Sequence, residues 1–214
     1  AYKFGLTKDV SIDLEQGLRL ENNWKSISST YTELGLGYDY NKHWSVSFGY
    51  RFAQPTNNPY PIHHDHRYVF DLKYMEDYKM PGEVDEIEVS FRLRYQSKYR
   101  DMFVSENGLI PDSYLRGKLV ISVDLDREYE PNAGGELFYR LAYDGSFIDS
   151  YRVFTGVDWA IDSHSKLDFL IMYESEVSVT EPRSAIILSF SYAFRFKWYK
   201  RSKEDPDQNN SRWL

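Results

Sequence analysis

Cysteine is absent from the 214 residues, so neither disulfides nor thiolate metal sites can hold this fold together. The absence does not by itself assign a redox compartment. No uninterrupted apolar run approaches the roughly 18 residues that a membrane helix needs, which excludes a helical membrane protein. A helical period of useful length is missing as well. Basic residues are in deficit: 26 Lys and Arg stand against 33 Asp and Glu, and the net charge of −7 disfavours a nucleic-acid partner. The chain opens on Ala1-Tyr2-Lys3-Phe4 with neither an initiator Met nor a signal sequence, as expected of an exported protein after processing and equally of a shortened chain.

What the chain does have is a two-residue alternation that restarts along its whole length. Trp44, Val46, Phe48, Tyr50 and Phe52 alternate with Ser45, Ser47, Gly49 and Arg51. Near the C-terminus Ile186, Leu188, Phe190, Tyr192, Phe194 and Phe196 alternate with Ser189, Ser191, Ala193 and Arg195. Successive side chains of a strand point to opposite faces, so each segment has one greasy face and one polar face. Segments of about ten residues separated by turns are the pattern of an outer-membrane barrel.

Eleven candidate strands follow: 1–6, 11–21, 31–40, 44–53, 67–75, 86–96, 113–125, 135–143, 150–160, 166–176 and 185–198. Several carry internal glycines, which suit a curved wall. Short turns are expected at Thr7–Val10, Asn41–His43 and Ile161–Ser165, with longer ones at Glu76–Asp85 and Asp126–Gly134. The intervening links include Gln54–His66, with three prolines, and Ser97–Asp112. The fold class expected is all-β: an antiparallel transmembrane outer-membrane β-barrel of 10–12 strands, with short periplasmic turns and longer extracellular loops. Even strand numbers are the rule for such barrels, so Ala1–Leu6 is expected either to lack an upstream neighbour in a twelve-strand wall or to be a partial strand on a ten-strand one. Residues 1–200 form the barrel and 201–214 a polar periplasmic tail.

A soluble barrel or sandwich would place the greasy face inside; a membrane barrel places it outside. The greasy set holds on the order of fifty large side chains, more than a small barrel interior accommodates. Aromatic position points the same way. Tyr40, Trp44, Tyr74, Trp159, Phe196 and Trp198 gather at the short-turn ends of strands. Tyr31, Tyr50, Tyr68, Tyr95, Tyr143, Tyr151 and Tyr173 gather toward the opposite ends, with aliphatic residues and Phe between. Two aromatic girdles around an apolar band match the two interfaces of a bilayer.

The stretch YTELGLGYDYNKHWSVSFGYRF (Tyr31–Phe52) resembles the domain of unknown function 2490, a family of predicted outer-membrane barrels. LEQGLRLENN (Leu14–Asn23), HRYVFDLKY (His66–Tyr74), RLRYQ (Arg92–Gln96), LRGKL (Leu115–Leu119) and ELFYRL (Glu136–Leu141) fit the same order. The resemblance spans most of the chain, chiefly through strand patterning. It implies an exported barrel of the Gram-negative envelope, in the bacterial outer membrane, and carries over no catalytic or ligand residue.

Both charge signs crowd the polar faces in similar number. A channel tuned for anions should show an excess of Arg and Lys. Balanced charge instead predicts a narrow lumen packed with ion pairs, in which Arg92, Arg94, Arg116, Lys118 and Arg140 meet carboxylates such as Asp71, Glu88 and Glu136. His63, His64 and His66 are the densest candidates for a metal, but consecutive residues do not easily converge on one ion, and solvent-exposed histidines without a ligand are expected. His43 and Ser45, close in sequence, have no orienting third group and read as turn chemistry. No catalytic residue and no cofactor is expected. The tail RSKEDPDQNNSRWL has the composition of disorder, with Trp213 and Leu214 beyond a polar spacer as candidate partner contacts. The expected role is a non-enzymatic structural or accessory subunit of an envelope assembly, in contact with outer-membrane lipid and with envelope proteins through loops or tail. The alternatives are a small passive channel for a polar solute and a lipid- or protein-modifying barrel enzyme.

Overall fold

The computed structural model describes residues 1–21, 25–56, 64–80, 86–101, 111–125, 128–142 and 145–197. Among them there is no helix. Eleven strands run in order: β1 (Tyr2–Gly5), β2 (Val10–Glu21), β3 (Ser26–Asp39), β4 (Trp44–Pro55), β5 (Asp65–Lys79), β6 (Glu86–Arg100), β7 (Asp112–Asp124), β8 (Tyr129–Leu141), β9 (Phe147–Ala160), β10 (Ser165–Glu176) and β11 (Ser184–Lys197). Each strand from β2 to β11 pairs antiparallel with its sequence neighbours, and β1 closes the barrel between β11 and β2.

The eleven strands fall within the expected 10–12, and the odd count departs from the even parity of ten or twelve. When neighbours alternate in direction, an odd total leaves the first and last strands running the same way. β1 accordingly pairs parallel with β11, through Tyr2–Phe194 to Gly5–Lys197. The first segment stands in the wall as a strand of four residues. It bridges only the short-turn part of the seam: beyond it, β2 and β11 make no direct contact. The amino group of Ala1 donates to the carbonyl of Tyr192 at 2.5 Å, at the upper limit of this ladder.

Strands also run further than the hydrophobic contrast suggests. β3 starts at Ser26, in a run whose only apolar residue is Ile27, because Ser26 and Ile27 pair with Glu21 and Leu20, and Ser29 and Thr30 with Pro55 and Gln54. Glu76–Lys79, at the start of the expected turn Glu76–Asp85, are strand, with Asp77 opposite Glu88 and Lys79 opposite Glu86. Pro131 lies inside β8, between the last regular β7 partner, Asn132, and the isolated Leu125–Tyr129 bridge. An interrupted ladder is where a residue without an N–H is tolerated.

The wall is apolar outside and polar inside. Leu34, Phe48, Phe70, Phe91, Leu119, Leu137, Ile171, Leu188 and Phe190 are exposed on the outer surface, Phe190 at 70%. Asp71, Glu88, Arg116, Glu136, Lys166 and Arg195 are buried within. Only Val69 and Phe154 are buried hydrophobics among the described residues, so no conventional apolar core exists. Outward aromatic pairs mark the two ends. Trp44 packs on Tyr74 (4.9 Å between ring centres) and Tyr129 on Trp159 (6.0 Å) at the short-turn end. Tyr50 packs on Tyr68 (5.3 Å) and Tyr151 on Tyr173 (6.4 Å) at the other. Tyr31 departs from its expected place in the second girdle: its hydroxyl bonds Glu15 in the lumen. Tyr143 and Trp198 lie outside the described residues.

Candidate functional site in the lumen

The polar faces of β5 to β9 converge at mid-height. Arg94 makes a two-pronged contact with Asp71, Nε and Nη2 each 2.7 Å from a carboxylate oxygen. Glu136, 4% exposed, is the hub. Its Oε1 accepts from Arg116 Nη2 at 2.9 Å and Nε at 3.2 Å, and from Arg92 Nη2 at 3.4 Å. Its Oε2 accepts from Arg152 Nη1 at 3.5 Å. Arg116 also donates to Gln96 at 2.7 Å, and Arg152 to Glu174 through Nε at 2.9 Å. One carboxylate thus ties together β6, β7, β8 and β9. A buried charge of either sign is tolerable only when paired and hydrogen-bonded, and shared guanidinium forks supply both conditions.

Lys118 and Arg140 meet partners other than Asp71, Glu88 or Glu136. The ammonium of Lys118 lies 4.4 Å from the centre of the Phe154 ring, a cation–π contact. Arg140 reaches Asp112 at 3.0 Å, at the exposed rim. Glu88 is buried on the inward face of β6. Phe138 and Phe154 were not singled out as lumen residues. Arg116 and Arg152 sit over the Phe138 ring at 4.5 and 5.1 Å, so aromatic faces take up part of the cationic load. Their inward parity in β8 and β9 was the available signal.

Toward the short-turn end the wall thins. Ser11, Gly35, Gly37, Ser45, Ser47 and Gly49 give β2 to β4 almost no inward bulk, and a cavity of about 430 Å³ lies against them. Lys3, Asp13, Asp39, Lys73, Asp158, Lys166, Asp168 and Arg195 line it, both signs again. Lys166 pairs with Asp158 and, at 3.6 Å, with Glu130.

The histidine candidates do not come together as ligands. His66 is buried on the outer face of β5, its Nδ1 2.7 Å from the Tyr50 hydroxyl. Phe52 packs on both His64 and His66, at 5.2 and 5.5 Å. The rings serve an aromatic cluster because the strand turns alternate residues to opposite faces. His63 lies outside the described residues, as do Trp213 and Leu214. Among the described residues no cluster of His, Asp or Glu has the arrangement of a metal site. His43 Nδ1 lies 3.0 Å from the carbonyl of Met75 and 3.2 Å from Glu76, and its ring stacks on Tyr74. A second Ser–His–Asp grouping, Asp162, Ser163 and His164, occupies the β9–β10 turn. Ser163 Oγ and Asp162 Oδ1 both approach the same nitrogen, His164 Nδ1, at 2.8 and 4.0 Å. A relay needs one partner on each ring nitrogen, so this is turn geometry.

No curated protein matches the chain. Among solved structures, the barrel is similar to one titled "Copper transporter OprC", at 10% identity and a TM-score of 0.32, over 86% of this chain and 37% of that one. The chain therefore spans well under half of that protein, and so distant a likeness carries no argument about activity. Residues 1–184 match the family described as "Protein of unknown function (DUF2490)", and the chain belongs to that family.

Proposed function

We propose that this chain is an outer-membrane barrel whose lumen is closed by side chains, and that it serves an envelope assembly as a structural or accessory subunit. The observation that carries the reading is Glu136. One buried carboxylate holds three guanidiniums from three strands, which fills the β6–β9 side of the interior with ion pairs where a pore would keep water. The apolar outer band between two sets of aromatic pairs supports insertion in a bilayer, the setting in which exposed Leu, Ile and Phe are favourable. Without a through-path, its role lies in contacts made by loops or by the tail 201–214. Planar-bilayer recording of the purified barrel is expected to show at most brief, small conductance. Pull-down from envelope extracts is expected to lose a partner on deletion of 201–214 or of the long loops. A large, steady, solute-selective conductance, with no partner lost on deletion, would overturn the reading.

The second reading, a passive channel for a polar solute, draws on the cavity beside the glycine- and serine-lined wall of β2 to β4. On that reading the conducting path follows this wall and bypasses Glu136. Replacing Gly35 or Gly37 with a bulky residue then reduces flux, and replacing Glu136 does not raise it.

A further inference from the structure

Above the Glu136 hub, toward the long-loop end, the balance of charge fails locally. Arg51 is spoken for: its Nε pairs with Glu33, and its Nη2 lies 4.0 Å from Glu15, which also accepts from the Tyr31 hydroxyl. Lys98 pairs with Asp65 at 2.8 Å. Two guanidiniums remain. Arg67, directly opposite Arg51 on β4 and Lys98 on β6, has no carboxylate within ion-pair distance among the described residues, and its buried Nε has no hydrogen-bond partner. The charges that act on it most are Arg51, Arg19 and Arg116, with Glu33, already engaged by Arg51, opposing them. Arg19 is exposed to the lumen and makes no ion pair with a carboxylate among the described residues. It shares the Tyr31 ring with Arg51, the two guanidinium carbons lying 5.5 and 4.0 Å from the ring centre. Three cations from β2, β4 and β5 therefore converge where two carboxylates, Glu33 and Glu15, both lie against Arg51. A confined cation without a partner is costly, and a ligand that supplies the missing negative charge removes that cost.

We propose that Arg19 and Arg67, with Arg51 and Tyr31 between them, form an oxyanion site at the long-loop end of the lumen, and that it takes a phosphate group. Arg19 and Arg67 offer two guanidinium forks with no ion pair of their own among the described residues, and each fork fits two phosphate oxygens at once, which a single carboxylate would not fill. A free phosphorylated solute and the phosphate of a lipid headgroup present the same chemistry. The inference is independent of whether the barrel conducts or has a protein partner.

The test is calorimetric titration of inorganic pyrophosphate into the full chain, folded in neutral detergent, at constant ionic strength with chloride. Saturable binding is expected, weakened about tenfold to a hundredfold by Arg67→Gln or Arg19→Gln, as loss of a charge-assisted hydrogen bond implies. Lys8→Gln, which removes the same charge in the β1–β2 turn, is expected to bind as the parent does. Arg67→Lys keeps the charge without the fork and is expected to fall between, and the heat-dependent gel mobility of each variant reports that the barrel is folded. Competition by glucose 6-phosphate and by micellar phosphatidic acid separates the sources: displacement by the first alone assigns a solute, and by the second a headgroup. No saturable heat with pyrophosphate, or equal binding by the parent and both folded Gln variants, would sink the proposal.

Discussion

At the scale of single residues, the lumen's stability is concentrated in Glu136. Replacing it with Ala leaves Arg92, Arg116 and Arg152 facing one another without their shared counter-charge. Breaking a buried ion pair from one side typically costs about 3–5 kcal/mol. An unfolding free energy in urea lowered by that amount is expected, with conductance rising as the interior loosens. Gly134 is a second sensitive position. A Cβ built there would stand 2.3 Å from the carbonyl oxygen of Leu119 and 2.5 Å from the Phe154 ring. The backbone contact cannot move aside cheaply, so Gly134→Ala is expected to cost about 1–3 kcal/mol, as overpacking usually does. Gly117→Ala, where the nearest atom is 3.9 Å away, is the control that should be near neutral.

At the scale of elements, the seam and the turns behave differently. β1 contributes four residues to the wall, against twelve or more in every other strand. Pairing over only four residues with each neighbour places it at the low end of local stability. Hydrogen exchange is expected to be fastest, among strand amides, in β1 and the neighbouring edge of β11; uniform protection around the wall would contradict this. The β9–β10 turn is held by Asp162, whose Oδ1 accepts the backbone N–H of His164 at 2.7 Å and of Ser165 at 2.9 Å. The His164 bond, aided by Ser165, holds this carboxyl below the usual aspartate range. Its contribution is therefore complete above the ordinary aspartate pKa and is lost as pH falls through the lowered value. A carboxyl resonance of Asp162 titrating at or above the normal aspartate pKa would show that the turn does not form as described.

At the scale of the whole molecule, the decisive question is the solvent around the barrel. Leu188 and Ser189 are adjacent on β11 and face opposite ways. In a bilayer, Leu188→Arg is expected to cost about 2–4 kcal/mol, falling toward the interfaces. In water the same change at an exposed position is near neutral. Folding titrations into phospholipid vesicles would separate the two settings, since no penalty for Leu188→Arg is incompatible with a lipid-facing wall.

The period-two pattern was legible because side-chain facing is a local property: each residue's face follows from its neighbour's, whatever the partner strand. That is why the inward set of Arg92, Arg94, Arg116 and Glu136, and the outward set of Phe48 and Leu188, could be read from the chain alone. Tyr31 shows the limit. It was placed by its position near a strand end, but its odd-numbered register with Glu33 turns it inward, onto Arg51 and Glu15. The strand end Ser26–Thr30 is not legible because a lone Ile27 among Ser and Thr gives no alternation, and only the ladders to β2 and β4 define it. The tertiary structure alone decided who meets whom across the lumen. Strand stagger and closure, not sequence spacing, bring Arg92 and Arg152 to one carboxylate, leave Arg19 and Arg67 without one, and force the parallel pairing of β1 with β11. Facing is a one-dimensional property of a strand; pairing depends on the register of all eleven around a closed ring.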